Sequence, residues 1–155
     1  MNSSIGHNVP VLIQPQTWAC WYTSFQMVVS YYRRQGRRGG LTDPSENSNT
    51  KAIYDANQGI GAADSEERER VARSLGFDVL YASLNPEGMW SLLHDGPVIY
   101  AGAWPGVSYG HWVVITGISE NTIYINNPAS GQQSYDYNSF VGQTLLQTAE
   151  RPLII

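Results

Sequence analysis

From Trp21 onward the apolar residues Trp21, Phe25, Val28, Val29 and Tyr32 recur at the spacing of one helical face. Thr17 is placed to cap that helix. Arg33, Arg34, Arg37 and Arg38 gather where cations complement the negative end of the helix dipole, and Gly39-Gly40 would end it. The basic cluster thus reads as a solvated helix end. Ahead of the helix, residues 1–8 are polar and uncapped and are expected to be loose, and Pro10 keeps Val9–Ile13 extended at a sheet edge or in coil. Residues 36–50 are rich in Gly, Ser, Asn, Asp and Pro and read as a mobile loop. Asp64 and Glu67 fit a capping box opening a charged helix that Gly76 stops; Phe77–Ala82 is strand-like, and Asn85-Pro86 starts a short helix through Leu93. The texture then changes. Val98–Ala103, His111–Ile118 and Thr122–Asn126 are β-branched and aromatic runs divided by turn residues, and Ser119-Glu120-Asn121 is of hairpin length. Tyr135–Phe140 and Leu153–Ile155 add strands or a last helical turn. Helices first and antiparallel strands second predict an α+β fold without internal repeats.

A length of 155 residues predicts a single domain spanning 1–155. Hydrophobic residues make up 42% and charged residues 14%, which excludes a disordered chain. The net charge of -4 supplies no field that would gather nucleic acid or an anionic membrane, so nucleic acid is not an expected partner. No apolar run approaches the roughly 18 residues of a membrane span, and the first residues lack the basic start and apolar stretch of a secretory signal. The expected setting is the cytoplasm, or export by a dedicated secretion machine.

Two motif matches fail on context. Gly59-Ile60-Gly61 lacks the third glycine and the preceding strand of a dinucleotide fingerprint. Gly106-Val107-Ser108-Tyr109-Gly110 spells a nucleophile elbow, but a strand follows it where that motif needs a helix, and no histidine lies beyond His111. Three histidines and one cysteine at positions 7, 94, 111 and 20 show no zinc-ligand spacing, so neither metal nor cofactor is expected.

The lone cysteine, Cys20, reads either as a small core hydrophobe or as a nucleophile. In the first turn of a helix, free N–H groups and the positive dipole end would lower its pKa. His7 falls in the loose terminus and His94 ends a helix, which leaves His111, at the mouth of a strand after a Gly-rich loop, as the candidate base. A hairpin would bring Asn126-Asn127-Pro128 beside the start of that strand, where an amide oxygen can orient an imidazole, although turn chemistry explains Asn-Pro equally well. Gln14, with Gln16 as competitor, offers an amide N–H to an oxyanion. Trp21, Trp112, Trp104 and Tyr109 are candidate substrate contacts, against the alternative that aromatic residues fill the core.

Taken together, Gln14, Cys20-Trp21, Gly96-Pro97-Val98, Gly110-His111-Trp112-Val113-Val114 and Asn127-Pro128 make the chain resemble the papain-like cysteine peptidases, in particular their compact bacterial branch of bacteriocin-processing and effector proteases. The likeness runs from about Val9 to Phe140 and leaves residues 36–62 unmatched. It implies a helical half carrying the cysteine, packed on an antiparallel sheet carrying His and Asn. It further implies Cys20 as nucleophile, His111 as general base and acid, Asn127 as the orienting group and Gln14 in the oxyanion hole. Compact bacterial members usually carry Asp where this chain has Asn127, so the ring lacks a formal negative partner. The expected substrate is a protein or peptide, cleaved through a thioester, in an effector or toxin setting with an inhibitory or immunity protein as partner. Deamidation of a protein glutamine, cleavage of a cell-wall peptide amide, and an idle peptide-binding module remain the alternatives.

Overall fold

A computed structural model of the chain describes residues 4–36, 40–60, 65–81, 85–104, 107–144 and 152–154. Among these residues, seven antiparallel strands form one sheet: β1 (Ile5–Gly6), β2 (Val79–Tyr81), β3 (Val98–Trp104), β4 (Val107–Ser119), β5 (Thr122–Asn127), β6 (Gly131–Asp136) and β7 (Pro152–Ile154). Their order is β2-β7-β3-β4-β5-β6, with β1 pairing on β4. Five α-helices accompany them among the described residues: α1 (Cys20–Arg34), α2 (Ser48–Asp55), α3 (Ser65–Ser74), α4 (Pro86–His94) and α5 (Tyr137–Thr144). The architecture is α+β.

Strand alternation divides the core between the two faces of the sheet. Ile99 and Ala101 of β3 and Trp112 and Val114 of β4 face α1, where they meet Trp21, Phe25 and Val28 together with Leu75 and Phe77. Val98, Tyr100, Val113 and Ile115 face the other way, onto Met89 and Leu93 of α4 and onto Tyr137 and Phe140 around the start of α5. The central hairpin is therefore covered on both sides, which explains its nearly unbroken apolar sequence.

The structure departs from the sequence reading in four places. The helix start is one: α1 begins at Cys20 with Ala19 at the cap position and no side-chain cap bond, so Thr17 does not cap it. The segment read as a mobile loop contains a 3-10 turn (Pro44–Glu46) and opens α2. Its Asp43 accepts the Ser45 N–H at 2.8 Å and its Asn47 accepts the Asn49 and Thr50 N–H groups at 3.0 and 3.1 Å, so residues that look like turn formers act as helix caps. The N-terminal segment is not loose over residues 4–8. Ile5 and Gly6 pair with Ile118 and Gly117, the His7 N–H donates to the Thr116 carbonyl at 2.9 Å, and the His7 ring bridges Tyr31 and the Leu93 carbonyl. Gly117 admits this strand because a Cβ there would lie 2.6 Å from the Ile5 carbonyl oxygen. Finally, β4 starts at Val107, so His111 lies within a strand opposite Gly102 rather than at its mouth. Arg33 pairs with Glu46 of the 3-10 turn. Asp64, read as a helix cap, and Arg37 and Arg38 of the basic cluster lie outside the described residues.

Candidate active site

Cys20 is the first residue of α1, and the backbone N–H groups of Cys20, Trp21 and Trp112 are all directed at its sulfur. Packing α1 on β4 thus sets the thiol against the amide of the residue that follows His111. Because no side chain caps α1, the positive end of the helix is left for the sulfur.

His111 is fastened from the sheet side. A shift of register between Gly102 and Trp104 and a left-handed Gly110, with φ of 84°, bend the β3–β4 hairpin just before it. Its Nε2 lies 2.7 Å from Oδ1 of Asn127, the last residue of β5. That oxygen also accepts the Ala129 N–H at 2.9 Å, so it is an acceptor with two donors, and His111 must carry its proton on Nε2. Nδ1 is left bare. The Trp104 ring stands edge-on to the imidazole, with centroids 5.4 Å apart.

The two neighbours of Asn127 tie the opening segment to this strand end. Asn126 donates through Nδ2 to the Val9 carbonyl at 3.1 Å, and the Pro128 carbonyl accepts the Gln14 N–H at 2.8 Å. The Gln14 side chain donates to the Thr17 carbonyl at 3.5 Å, a long bond, and its Oε1 is buried without a partner. Thr17, Trp18, Cys20, Gly59, Ile60, Gly110 and Trp112 line a cleft of about 250 Å³.

The family model described as papain-like cysteine protease AvrRpt2 matches residues 3–144. The chain belongs to this family of papain-like cysteine proteases. Solved structures agree on the fold. A putative C39-like peptidase from Bacillus anthracis superposes with a TM-score of 0.65 at 13% identity over 99% of this chain and 97% of its own. A cysteine protease of Carica candamarcensis does so with 0.60 at 15%, covering 99% and 97%. A double glycine motif protease of an AMS/PCAT transporter, solved with a leader peptide, gives 0.54 at 22%, covering 100% and 97%. No curated protein sequence matches the chain.

In this papain-like protease, two of the expected substrate contacts are packed in the core, Trp21 away from the cleft and Trp112 with an edge lining it. Trp21 is fully buried and donates its indole N–H to the Gln58 carbonyl at 3.2 Å; Trp112 is 1% exposed and donates to the Ile60 carbonyl at 3.0 Å. Their rings fill the α1 face while their N–H groups hold the 58–60 segment that forms one cleft wall. Trp104 packs on His111, Tyr135 and Phe140 rather than in the cleft. Tyr109 lies in β4 and its side chain is outside the described residues. Trp18, packed edge-on against Tyr54, lines the cleft together with an edge of Trp112, and the signal that marks Trp18 is its place two residues before Cys20.

The electrostatics of the protease also reverse an expectation. Burial pushes the Cys20 thiol up from its ordinary value, and the N–H groups of Trp112, Trp21 and Cys20 offset only part of that rise. Burial likewise pushes the His111 imidazole down, against the upward pull of its bond to Asn127. A helix N-terminus favours thiolate, but here removal from water is the larger effect. Both shifts are in the direction that favours the uncharged form of each group. Among the described residues, no group of three or more His, Cys, Asp or Glu side chains could hold a metal ion. No described helix is long and apolar enough to cross a membrane.

Proposed function

We propose that the protease cleaves peptide bonds through Cys20, His111 and Asn127. The observation that carries this reading is the 2.7 Å bond from Nε2 of His111 to Asn127, which leaves Nδ1 as the bare base on the residue before Trp112, whose backbone amide acts on the thiol. As the sulfur attacks the carbonyl carbon, its proton passes to Nδ1 and the carbonyl becomes an oxyanion. The Cys20 N–H and the Gln14 side-chain amide stabilise that oxyanion, and loss of one such donor costs on the order of 3 kcal/mol in barrier height. Collapse breaks the C–N bond, with Nδ1–H protonating the leaving amine. Water then attacks the thioester, giving one proton to His111 and on to the sulfur. Charge separation arises during attack, in keeping with burial that favours the uncharged forms of both groups.

An extended peptide is the substrate we infer, entering along the cleft between Trp18 and Gly59-Ile60. The leader peptide bound by the transporter protease of the same fold supports that class. Incubating a proteome-derived peptide library with the wild-type protein and with Cys20→Ser, then reading masses, tests the reading. New termini that require Cys20 are expected. Library members that gain about one dalton without chain cleavage would instead show deamidation by the same thiol. No Cys20-dependent change would overturn the assignment.

A further inference from the structure

An aspartate in the third position presents oxygen whichever way it turns, but an asparagine presents oxygen on one side and N–H on the other. If Asn127 turned its Nδ2 to His111, the imidazole would have to accept there and carry its proton on Nδ1, which could then no longer take one from the thiol. Something must hold the amide. The Ala129 N–H holds the oxygen end at 2.9 Å, and the nitrogen end donates to Oε1 of Gln133 at 3.2 Å. The Gln133 amide is itself held. Its Nε2 donates to Ser130 Oγ at 2.9 Å, and its Oε1 also accepts the Tyr135 hydroxyl at 2.9 Å. Gln133 lies in β6 opposite Ile125, two residues beyond the Gly131 that pairs with Asn127, so strand alternation puts it on the Asn127 face. Tyr135 continues the circuit, its ring 6.4 Å from Trp104, which in turn stands against His111.

We propose that Gln133 is a positioning residue that sets the facing of the Asn127 amide and, through it, which nitrogen of His111 carries the proton. The inference rests on the triad reading above. It also explains how this chain works with an amide where a carboxylate would orient itself.

The probe is iodoacetamide, followed by intact mass from pH 5 to 10. Because burial holds the thiol up, alkylation near neutrality depends on proton transfer to His111, whereas the alkaline limb reports the thiol alone. Burial and the Asn127 amide govern the imidazole; Cys20 of α1, Tyr100 of β3, Tyr124 of β5 and Tyr135 and Asp136 of β6 are titratable groups on the adjoining elements, and none of them is a cause of its shift. Gln133→Leu is expected to slow the neutral-pH rate about tenfold, the worth of one hydrogen bond, and to leave the alkaline limb in place. Gln133→Glu, which keeps the acceptor, is expected to hold the neutral rate. In Asn127→Asp the Gln133→Leu penalty is expected to fall below about twofold, since either oxygen serves. Gln133→Met supplies a second apolar variant if the leucine does not fold. A Gln133→Leu protein alkylated like wild type while Asn127→Ala is slowed would overturn the role of Gln133. So would faster alkylation at every pH, the mark of a loosened site. Equal rates in Asn127→Ala and wild type would overturn the triad reading itself.

Discussion

Replacing Asn127 by Asp puts a carboxylate oxygen where the amide oxygen meets Nε2 of His111 at 2.7 Å. With charge centres about 4 Å apart and an effective dielectric constant of about 20, the attraction is about 4 kcal/mol, equivalent to about 3 pH units on the imidazole. The full shift is not expected. Asn127 is only 4% exposed, so the new carboxylate is itself penalised by loss of water and gives back part of the gain. A rise of about 1–2 pH units in the His111 titration is expected, following the usual effect of a close opposite charge. Asn127→Ala should move it the other way, because the Asn127 bond is what raises the imidazole against burial. Following the His111 ring by NMR across pH in the three proteins measures both directions. An Asp variant whose imidazole titrates at or below the wild-type value would refute the assigned geometry.

Trp112→Phe and Trp21→Phe keep the core rings but orphan the Ile60 and Gln58 carbonyls, so each should cost about 1–3 kcal/mol in urea unfolding. The first should be the costlier, because Ile60 is nearly fully buried. Gly117→Ala places a Cβ against the Ile5 carbonyl and should destabilise the protein by about 1–3 kcal/mol; hydrogen exchange of the His7 amide, which donates to the Thr116 carbonyl, should accelerate selectively. Trp104→Ala removes a ring that shields the imidazole, so His111 should titrate closer to its ordinary value of about 6.5, again read by NMR.

Much of the centre of this fold is legible in the sequence, because the β3 and β4 runs are apolar on both faces, β5 alternates, and all three are bounded by glycine, serine and asparagine. The pairing of His111 with Asn127 follows from the same pattern: a two-residue connection, Glu120-Asn121, brings the end of β5 beside the front of β4. Elements with weak patterns are not legible. Helix α2 has few apolar positions, and its caps Asp43 and Asn47 are the residues a loop would also use. Strand β1 is two residues long and exists because Gly117 makes room for it. Whether an aromatic residue lines a cleft or fills a core is a matter of tertiary packing, which is why the sequence leaves both readings open for Trp21 and Trp112 and Trp18 stays inconspicuous. The direction of the Cys20 shift has the same origin. Helix position is visible in the sequence, whereas burial of the thiol to 6% exposure depends on the sheet that closes over it.

The partnership of one thiol with one imidazole is tested most directly by the second-order rate of Cys20 alkylation at pH 7, in the wild type and in His111→Ala. A loss of about tenfold or more in the variant, with the two profiles converging at alkaline pH, is the predicted result. Superimposable profiles over the whole range would contradict it.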